Sequence, residues 1–310
     1  MRRSMRGLLR GSWIQRLGLT HLGCLMSLPA MTLVDLPRAF AVPTYEWPHN
    51  EGAVPLDQRI PPPDGFVRIA LREGSFGAWL RKLPTKPADA RVHLFDGRLK
   101  RNQAVQAAVI DMDVGTRDLQ QCADAVIRIR AEYLWSEGGR DAICFHFTSG
   151  HRVAWRDWAL GMRPTVDGQN VAFRLRAKPN RGYANFRTYL DTVFTYAGTR
   201  SLRREMQPVS SRAVIDPGDV FVEAGAPGHA VIVLDAAVDS QDEQRRVVLL
   251  GQSYMPAQEI HVLKVLGHNS PWLIDDRSAS ADSPIETPEW RFTRGDLRRF
   301  KRLSSCDAER

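Results

Sequence analysis

Cysteine is scarce: four in 310 residues, at positions 24, 122, 144 and 306. No two of them stand at the short intervals of a structural zinc site. His146 and His151 in FHFTSGH have the wrong spacing for one strand face and no acid or cysteine at ligand distance in sequence. No metal and no other cofactor is therefore expected. Neither common glycine-rich phosphate loop occurs, which argues against a nucleotide-binding fold of the familiar kinds. There is no internal repeat and no low-complexity tract, so solenoids and disordered scaffolds are excluded as well.

Long apolar runs are missing too, apart from one near the start. LGLTHLGCLMSLPAMTLV is interrupted by His21 and Pro29 and is short for a membrane span. It follows the basic stretch MRRSMRGLLRGSWIQR and precedes Ala39-Phe40-Ala41. That order is the signature of a secretory signal peptide over residues 1–41, cleaved after Ala41. A rival reading makes Cys24, preceded by Gly23, a lipid-attachment cysteine, although His21 and Leu22 fit that box poorly. Cleavage predicts a periplasmic or secreted protein that is not integral to the membrane.

The formal charge of +8 follows largely from the same segment. Residues 1–41 carry six arginines and one acid, Asp35, so removing them leaves about +3, and nucleic acid is not an expected partner. Three cysteines then remain, 122, 144 and 306. In an oxidising compartment they allow one disulfide with a spare thiol, or three buried thiols.

What is present is a mixed pattern of elements. Residues 42–64 are proline-rich and read as an extended leader; a single domain is expected over 65–304. FVRIAL and QAAVIDMDV suggest strands, and GSFGAWLRKL a short helix. The strongest helix signal is TRDLQQCADAVIRIRAEYLW, capped near Thr116. There Leu119, Cys122, Val126, Ile129 and Tyr133 make one buried stripe, and Asp124, Arg128 and Glu132 can pair on a wet face. A second helix, YANFRTYLDTVFTYAG, buries Phe186, Leu190, Val193 and Ala197. Afterwards come GDVFVE, HAVIVLD, RRVVLLGQSY, EIHVLK and EWRF, with 275–288 as a mobile loop. The sum is an α+β fold with a mainly antiparallel sheet and packed helices.

The chemistry centres on GDVFVEAGAPGHAVIVLD, where a histidine opens an apolar strand. Alternation puts His229, Val231, Val233 and Asp235 on one face, with Asp235 on the order of 20 Å away and unable to orient His229. If Leu234 pairs with Val247, Gln252 stands opposite His229 within hydrogen-bond reach. An imidazole held by an amide is the base-plus-orienter half of a nucleophilic triad. It is equally the description of an inert, hydrogen-bonded strand end.

Cys122 is the candidate nucleophile. A thiol near a helix N-terminus gains from the dipole, whereas the buried stripe simply needs a small apolar residue there. Ser253 follows Gln252 but faces the opposite side of the strand. Met255-Pro256-Ala257 breaks the strand after Gln252 and would bring Tyr254, Gln258 and Glu259 to the mouth of a His229 site as substrate-binding residues. In FDGRLKRNQ, Asp96, Arg98, Lys100 and Asn102 form either a solvated turn or a carboxylate- or sugar-binding rim. HRVAWRDWALGMRP sets Trp155 and Trp158 beside arginines, an arrangement able to stack on sugars and equally common in packed surface elements.

The stretch 183–254 resembles the back half of NlpC-type papain-like cell-wall peptidases. There a helix ending in aromatic-x-x-Ala-Gly leads to a Gly-Asp strand, then Gly-His opening an apolar strand, then a polar residue one strand later. The resemblance implies a papain-like C-terminal half with His229 as base and Gln252 as orienter. The chain departs where that family keeps its cysteine, because the corresponding position is Phe186, beside Asn185. Over most of 65–300, HLFDGRLKRNQ, AVIDMDVGTRDLQQCADAVIRIRAEYLW, GDVFVEAGAPGHAVIV and GQSYMPAQEIHVLK together resemble the bacterial family called domain of unknown function 4846. That resemblance implies an exported envelope protein and no reaction.

The expectation is an exported envelope protein with cysteine amidase or peptidase chemistry on cell-wall peptides. The alternative is a catalytically silent papain-like domain holding peptide or glycan in the same cleft.

Overall fold

A computed structural model describes residues 45–268 and 270–301. The chain separates into Met1–Ala41 and Val42–Arg310, and the description concerns the second unit. The signal-peptide reading, Cys24 and Cys306 lie outside the described residues.

Nine strands make one sheet: β1 (Phe66–Arg68), β2 (Gln106–Val109), β3 (Met206–Pro208), β4 (Val220–Glu223), β5 (His229–Asp239), β6 (Arg246–Gln252), β7 (His261–Leu263), β8 (Trp272–Ile274) and β9 (Leu297–Phe300). Their order is β2-β7-β6-β5-β4-β9-β3, with β8 also pairing β6 and β1 also pairing β5. Every pairing is antiparallel. Among the described residues six α-helices accompany it: α1 (Leu56–Arg59), α2 (Phe76–Arg81), α3 (Cys122–Ser136), α4 (Trp155–Ala159), α5 (Tyr183–Tyr196) and α6 (Thr199–Glu205). The class is α+β, as the order of patterns predicts. Among the described residues no helix is long and apolar enough to cross a membrane.

The central strand explains the architecture. β5 is eleven residues long and its first nine are buried, so an unbroken aliphatic run needs cover on both faces. Ala230, Ile232 and Leu234 enter the larger core with Val126 and Ile129 of α3. Val231 and Val233 enter a smaller one with Phe221, Phe292 and Leu297. A bulge between Val233 and Asp235 breaks the alternation. Asp235 turns toward α2 instead of sharing the face of His229, and it accepts hydrogen bonds from Arg68 Nε at 2.7 Å and Arg81 Nε at 2.8 Å.

Three sequence expectations need correction. First, the described part of the leader is packed rather than merely extended. Tyr45, Trp47, Leu56 and Ile60 are buried, and Val54–Pro55 pairs with Pro84–Thr85. Proline bars a long helix there without barring aromatic burial. Second, α3 starts at Cys122, not near Thr116. Asp124, three residues beyond Gln121, accepts the Gln121 N–H at 3.2 Å, satisfying a donor that the first turn leaves orphaned. Asp118 meanwhile accepts the Ala257 N–H at 2.7 Å and ties the preceding turn to another loop. Third, the supposed wet face of α3 is interior: Arg128 bonds Glu132 at 2.6 Å as spaced, but the two side chains are 0 % and 1 % exposed.

Part of the segment read as a mobile loop is ordered. Pro284–Glu286 pairs with Arg291–Thr293, a hairpin that carries Trp290 and Phe292 over the beginning of β5. A second hairpin, Met162–Asp167 with Asn170–Leu175, stands apart from the main sheet.

Candidate functional site

His229 is the first residue of β5 and pairs with Glu223 of β4. On its other side the register differs from the expected one. Val247 pairs with Ala237 and Gly251 with Ile232, a displacement of two residues at the histidine end. An even displacement keeps Gln252 on the face of His229. The imidazole therefore reaches the amide diagonally, Nε2 to Oε1 at 2.8 Å.

The amide cannot be turned around. Gln252 Nε2 lies 2.7 Å from Glu289 Oε2, a pure acceptor. The same nitrogen lies 3.3 Å from His261 Nε2, while His261 Nδ1 lies 2.9 Å from the Glu259 carbonyl oxygen. His261 must donate from Nδ1 and accept at Nε2, so the Gln252 nitrogen donates to both neighbours and its oxygen faces His229. That assignment puts the His229 proton on Nε2 and leaves Nδ1 as a lone pair. Lys100 closes the chain with an ion pair to Glu289.

Cys122 opens α3, at the first helical position. Its sulfur lies 4.0 Å from the Gly228 carbonyl oxygen, on the side from which the Ala230 N–H favours its thiolate. In an extended strand the C=O of one residue and the N–H two residues on point to the same edge. The sulfur thus rests edge-on against the backbone flanking His229. The Ala230, Ala123 and Cys122 N–H groups all favour a thiolate, yet burial, with Asp124 adding to it, pushes the thiol up to about 11. Burial also pushes His229 down to about 4, against the Gln252 bond and the Glu289 carboxylate. The resting pair at neutral pH is a protonated thiol and a neutral imidazole.

The ring was expected at the rim of an open hollow, and it is 1 % exposed instead. Tyr254, Trp290 and Phe292 surround it at centroid distances of 4.7, 5.2 and 5.8 Å. Tyr254 and Trp290 are only half-buried, and Trp290 Nε1 donates to Glu223 Oε2 at 2.9 Å. These two rings form the cover between the imidazole and solvent.

The other expected substrate-binding residues disperse. Tyr254 joins the site, with the Lys100 ammonium 5.7 Å from its ring. Gln258 is 2 % exposed, and Ser253 Oγ donates to its backbone oxygen at 2.7 Å, so it lines no mouth. Glu259 is engaged by Lys86 and by the His93 N–H at 2.9 Å. Asp96 accepts from Arg98 Nε at 2.7 Å in an exposed turn, and that bond holds its carboxyl below the usual range. Ser253 Oγ also donates to the Gln120 carbonyl oxygen at 3.0 Å, away from His229. Phe186 is fully buried and stacks on Trp135. Cys144 is disulfide-bonded and Cys122 is free.

Sequence reasoning missed Glu289, His261 and Trp290, and placed Lys100 in a solvated turn or a carboxylate- or sugar-binding rim rather than beside Gln252 and Glu289. His261 had a signal: a histidine in the apolar run EIHVLK, which the register sets directly beside Gln252. Glu289 lies 37 positions from Gln252, and no period connects them.

His261 shifts down to about 4 as well, again by burial. Both histidines take up protons near 6.5 when unfolded and resist doing so when folded. The unfolded state binds more protons in that window, so stability present above about pH 6.5 is lost as pH falls toward 4. Each histidine contributes about 2 kcal/mol of loss between pH 7 and 5. Buried Glu132 and Glu205, whose pKa values are raised mainly by burial, act in the opposite sense. The measurement is therefore differential: urea titrations at the two pH values should show a loss about 2 kcal/mol smaller in His261→Gln than in the unsubstituted chain.

A search of curated proteins returns no match for the chain, and a search of solved structures returns none either. The family profile described as Domain of unknown function (4846) matches residues 56–299, from α1 to the penultimate residue of β9, and the chain belongs to that family.

Proposed function

We propose that this protein is an exported envelope hydrolase with papain-like chemistry, in which Cys122 attacks amide bonds of cell-wall peptides, His229 is the base and Gln252 its orienter. One observation carries the reading. A thiol at the first turn of α3 lies against both backbone neighbours of a histidine whose tautomer leaves Nδ1 unprotonated. α3 supplies the sulfur that the NlpC-type pattern would have sought near Phe186.

The steps follow from the groups present. Cys122 gives its proton to His229 Nδ1 as the sulfur bonds to the substrate carbonyl carbon, and the C=O π electrons move to oxygen. The N–H groups at the start of α3 and the helix dipole stabilise that oxyanion. Collapse breaks the C–N bond, and the leaving amine takes the proton back from His229. Water, activated by the same imidazole, then hydrolyses the thioester and regenerates the thiol. The disulfide at Cys144 accords with an oxidising compartment outside the cytoplasm.

A second reading is favoured by the high thiol pKa: an envelope protein that holds peptide or glycan in this place without turnover. Incubation with purified muropeptides, followed by mass spectrometry, separates them. Hydrolysed amide with the intact chain is the expected result. Binding without product supports the second reading and removes the first.

A further inference from the structure

The hydrogen bonds that end at His229 form a row with a direction, and the direction has its source at the far end. Lys100 is a pure donor, placed by its own N–H on the Val92 carbonyl oxygen at 2.9 Å. Its side chain is 7 % exposed and pairs with that of Glu289, which is 15 % exposed. Glu289 stands in a turn closed by the Thr287 N–H on the Trp290 carbonyl oxygen at 2.9 Å. The ammonium takes Glu289 Oε1. That leaves Oε2 to accept from Gln252 Nε2 and the amide oxygen to accept from His229 Nε2.

We propose that the Lys100–Glu289 pair sets this direction and thereby holds the His229 proton on Nε2, which makes both of them positioning residues for the base. Their bearing on catalysis rests on the proposed reaction at Cys122; their bearing on the tautomer does not.

The consequence is one of polarity rather than shape. In Glu289→Gln the side chain keeps its outline, but Lys100 claims the single carboxamide oxygen and turns the new NH2 group toward Gln252. Two amide donors then meet, and Gln252 relieves the conflict by turning over. Its own NH2 group now faces His229, so Nε2 must accept and the proton moves to Nδ1, the atom that has to receive the thiol proton. His261 alone resists, because the turned amide sets its oxygen against the His261 lone pair. That contact is 3.3 Å long and uncharged, and the charge-assisted bond to the ammonium outweighs it. In K100M/E289Q nothing claims the carboxamide oxygen. It returns to Gln252 Nε2, and the original tautomer returns with it.

The test is a long-range proton–nitrogen correlation spectrum of the full chain labelled with nitrogen-15 histidine, recorded at neutral pH, where burial keeps the His229 ring uncharged. A His229→Gln sample assigns the ring. The unsubstituted chain should show Nε2 protonated, E289Q Nδ1 protonated, and K100M/E289Q Nε2 protonated again. A role limited to holding the fold would not give the last result, since the double variant lacks the ion pair altogether. Muropeptide hydrolysis by the same samples should fall about 10³-fold or more in E289Q, as expected of a base held in the wrong tautomer, and most of the loss should be recovered in K100M/E289Q. A proton on Nδ1 in the unsubstituted chain overturns the proposal without any variant. So does a folded E289Q that keeps the proton on Nε2 or hydrolyses undiminished, and so does a double variant that shares the tautomer of E289Q. If no sample hydrolyses anything, the reaction at Cys122 falls and the spectrum still decides the role of the pair.

Discussion

Cys122→Ala should lower muropeptide hydrolysis by at least about 10⁴-fold while leaving the fold intact. The size of the loss follows from what disappears. Without sulfur there is no acyl intermediate, and a water held by His229 would have to attack an amide directly. The fold survives because the side chain is small: Cys122 is 5 % exposed, and alanine removes one atom from the edge of the core. His229→Ala should reach a similar loss, since residues acting as a unit are not additive and the double variant should be no worse than either alone. Retained turnover in Cys122→Ala, with the melting temperature unchanged, would mean that another group attacks.

Arg128→Met should have the largest effect on stability, about 3–5 kcal/mol, or roughly 10 °C in melting temperature for a unit of this size. Arg128 is 0 % exposed and binds four partners. Nε donates to Glu132 at 2.6 Å, and the terminal nitrogens donate to Gln120, Asp113 and the Tyr183 hydroxyl at 3.2 Å each. Methionine matches the stem and cancels none of the charge it leaves behind. Glu132 would be stranded in the interior with only the Tyr183 hydroxyl, at 2.6 Å, to donate to it. Replacing both ions, as R128M/E132L, should recover most of the loss, because the penalty belongs to the uncompensated carboxylate rather than to the missing contact. If R128M melts within a degree or two of the unsubstituted chain, the network is not holding α3 to α5.

The same residue shows why the sequence could be read only so far. Its spacing from Glu132 was visible, since four residues on a helix bring two side chains together whatever surrounds them. Its burial was not, because Tyr183 and Asp113 arrive from distant parts of the chain to cover it. The local rules performed likewise elsewhere. Aliphatic runs announced β4 to β7, and a three–four stripe announced α3. The start of α3 went astray because Asp124, a mid-helix polar residue by pattern, caps Gln121 instead. That difference of five residues moves Cys122 from the second turn to the first, and with it the chemistry available to the sulfur.

At the site itself, alternation sufficed to bring Gln252 to the face of His229 even though the register was displaced. Parity survives a shift of two and would not have survived a shift of one. Glu289 and Trp290 could not be foreseen from any period. They open EWRF, read as a strand, but their placement beside His229 depends on its short pairing, Arg291–Thr293 with Pro284–Glu286, and Pro284–Glu286 lies in the segment read as loop. The expectation of an open hollow failed for the same reason, because that hairpin supplies the cover.

The claim that everything rests on is that the Cys122 sulfur and the His229 ring act as one chemical pair. Exposure of the folded chain to a peptidyl chloromethyl ketone, followed by peptide mapping, tests it directly. The account predicts a single adduct at Cys122, formed in the unsubstituted chain and suppressed in His229→Ala. A Cys122 that labels only after denaturation, or equally fast with and without His229, would contradict it.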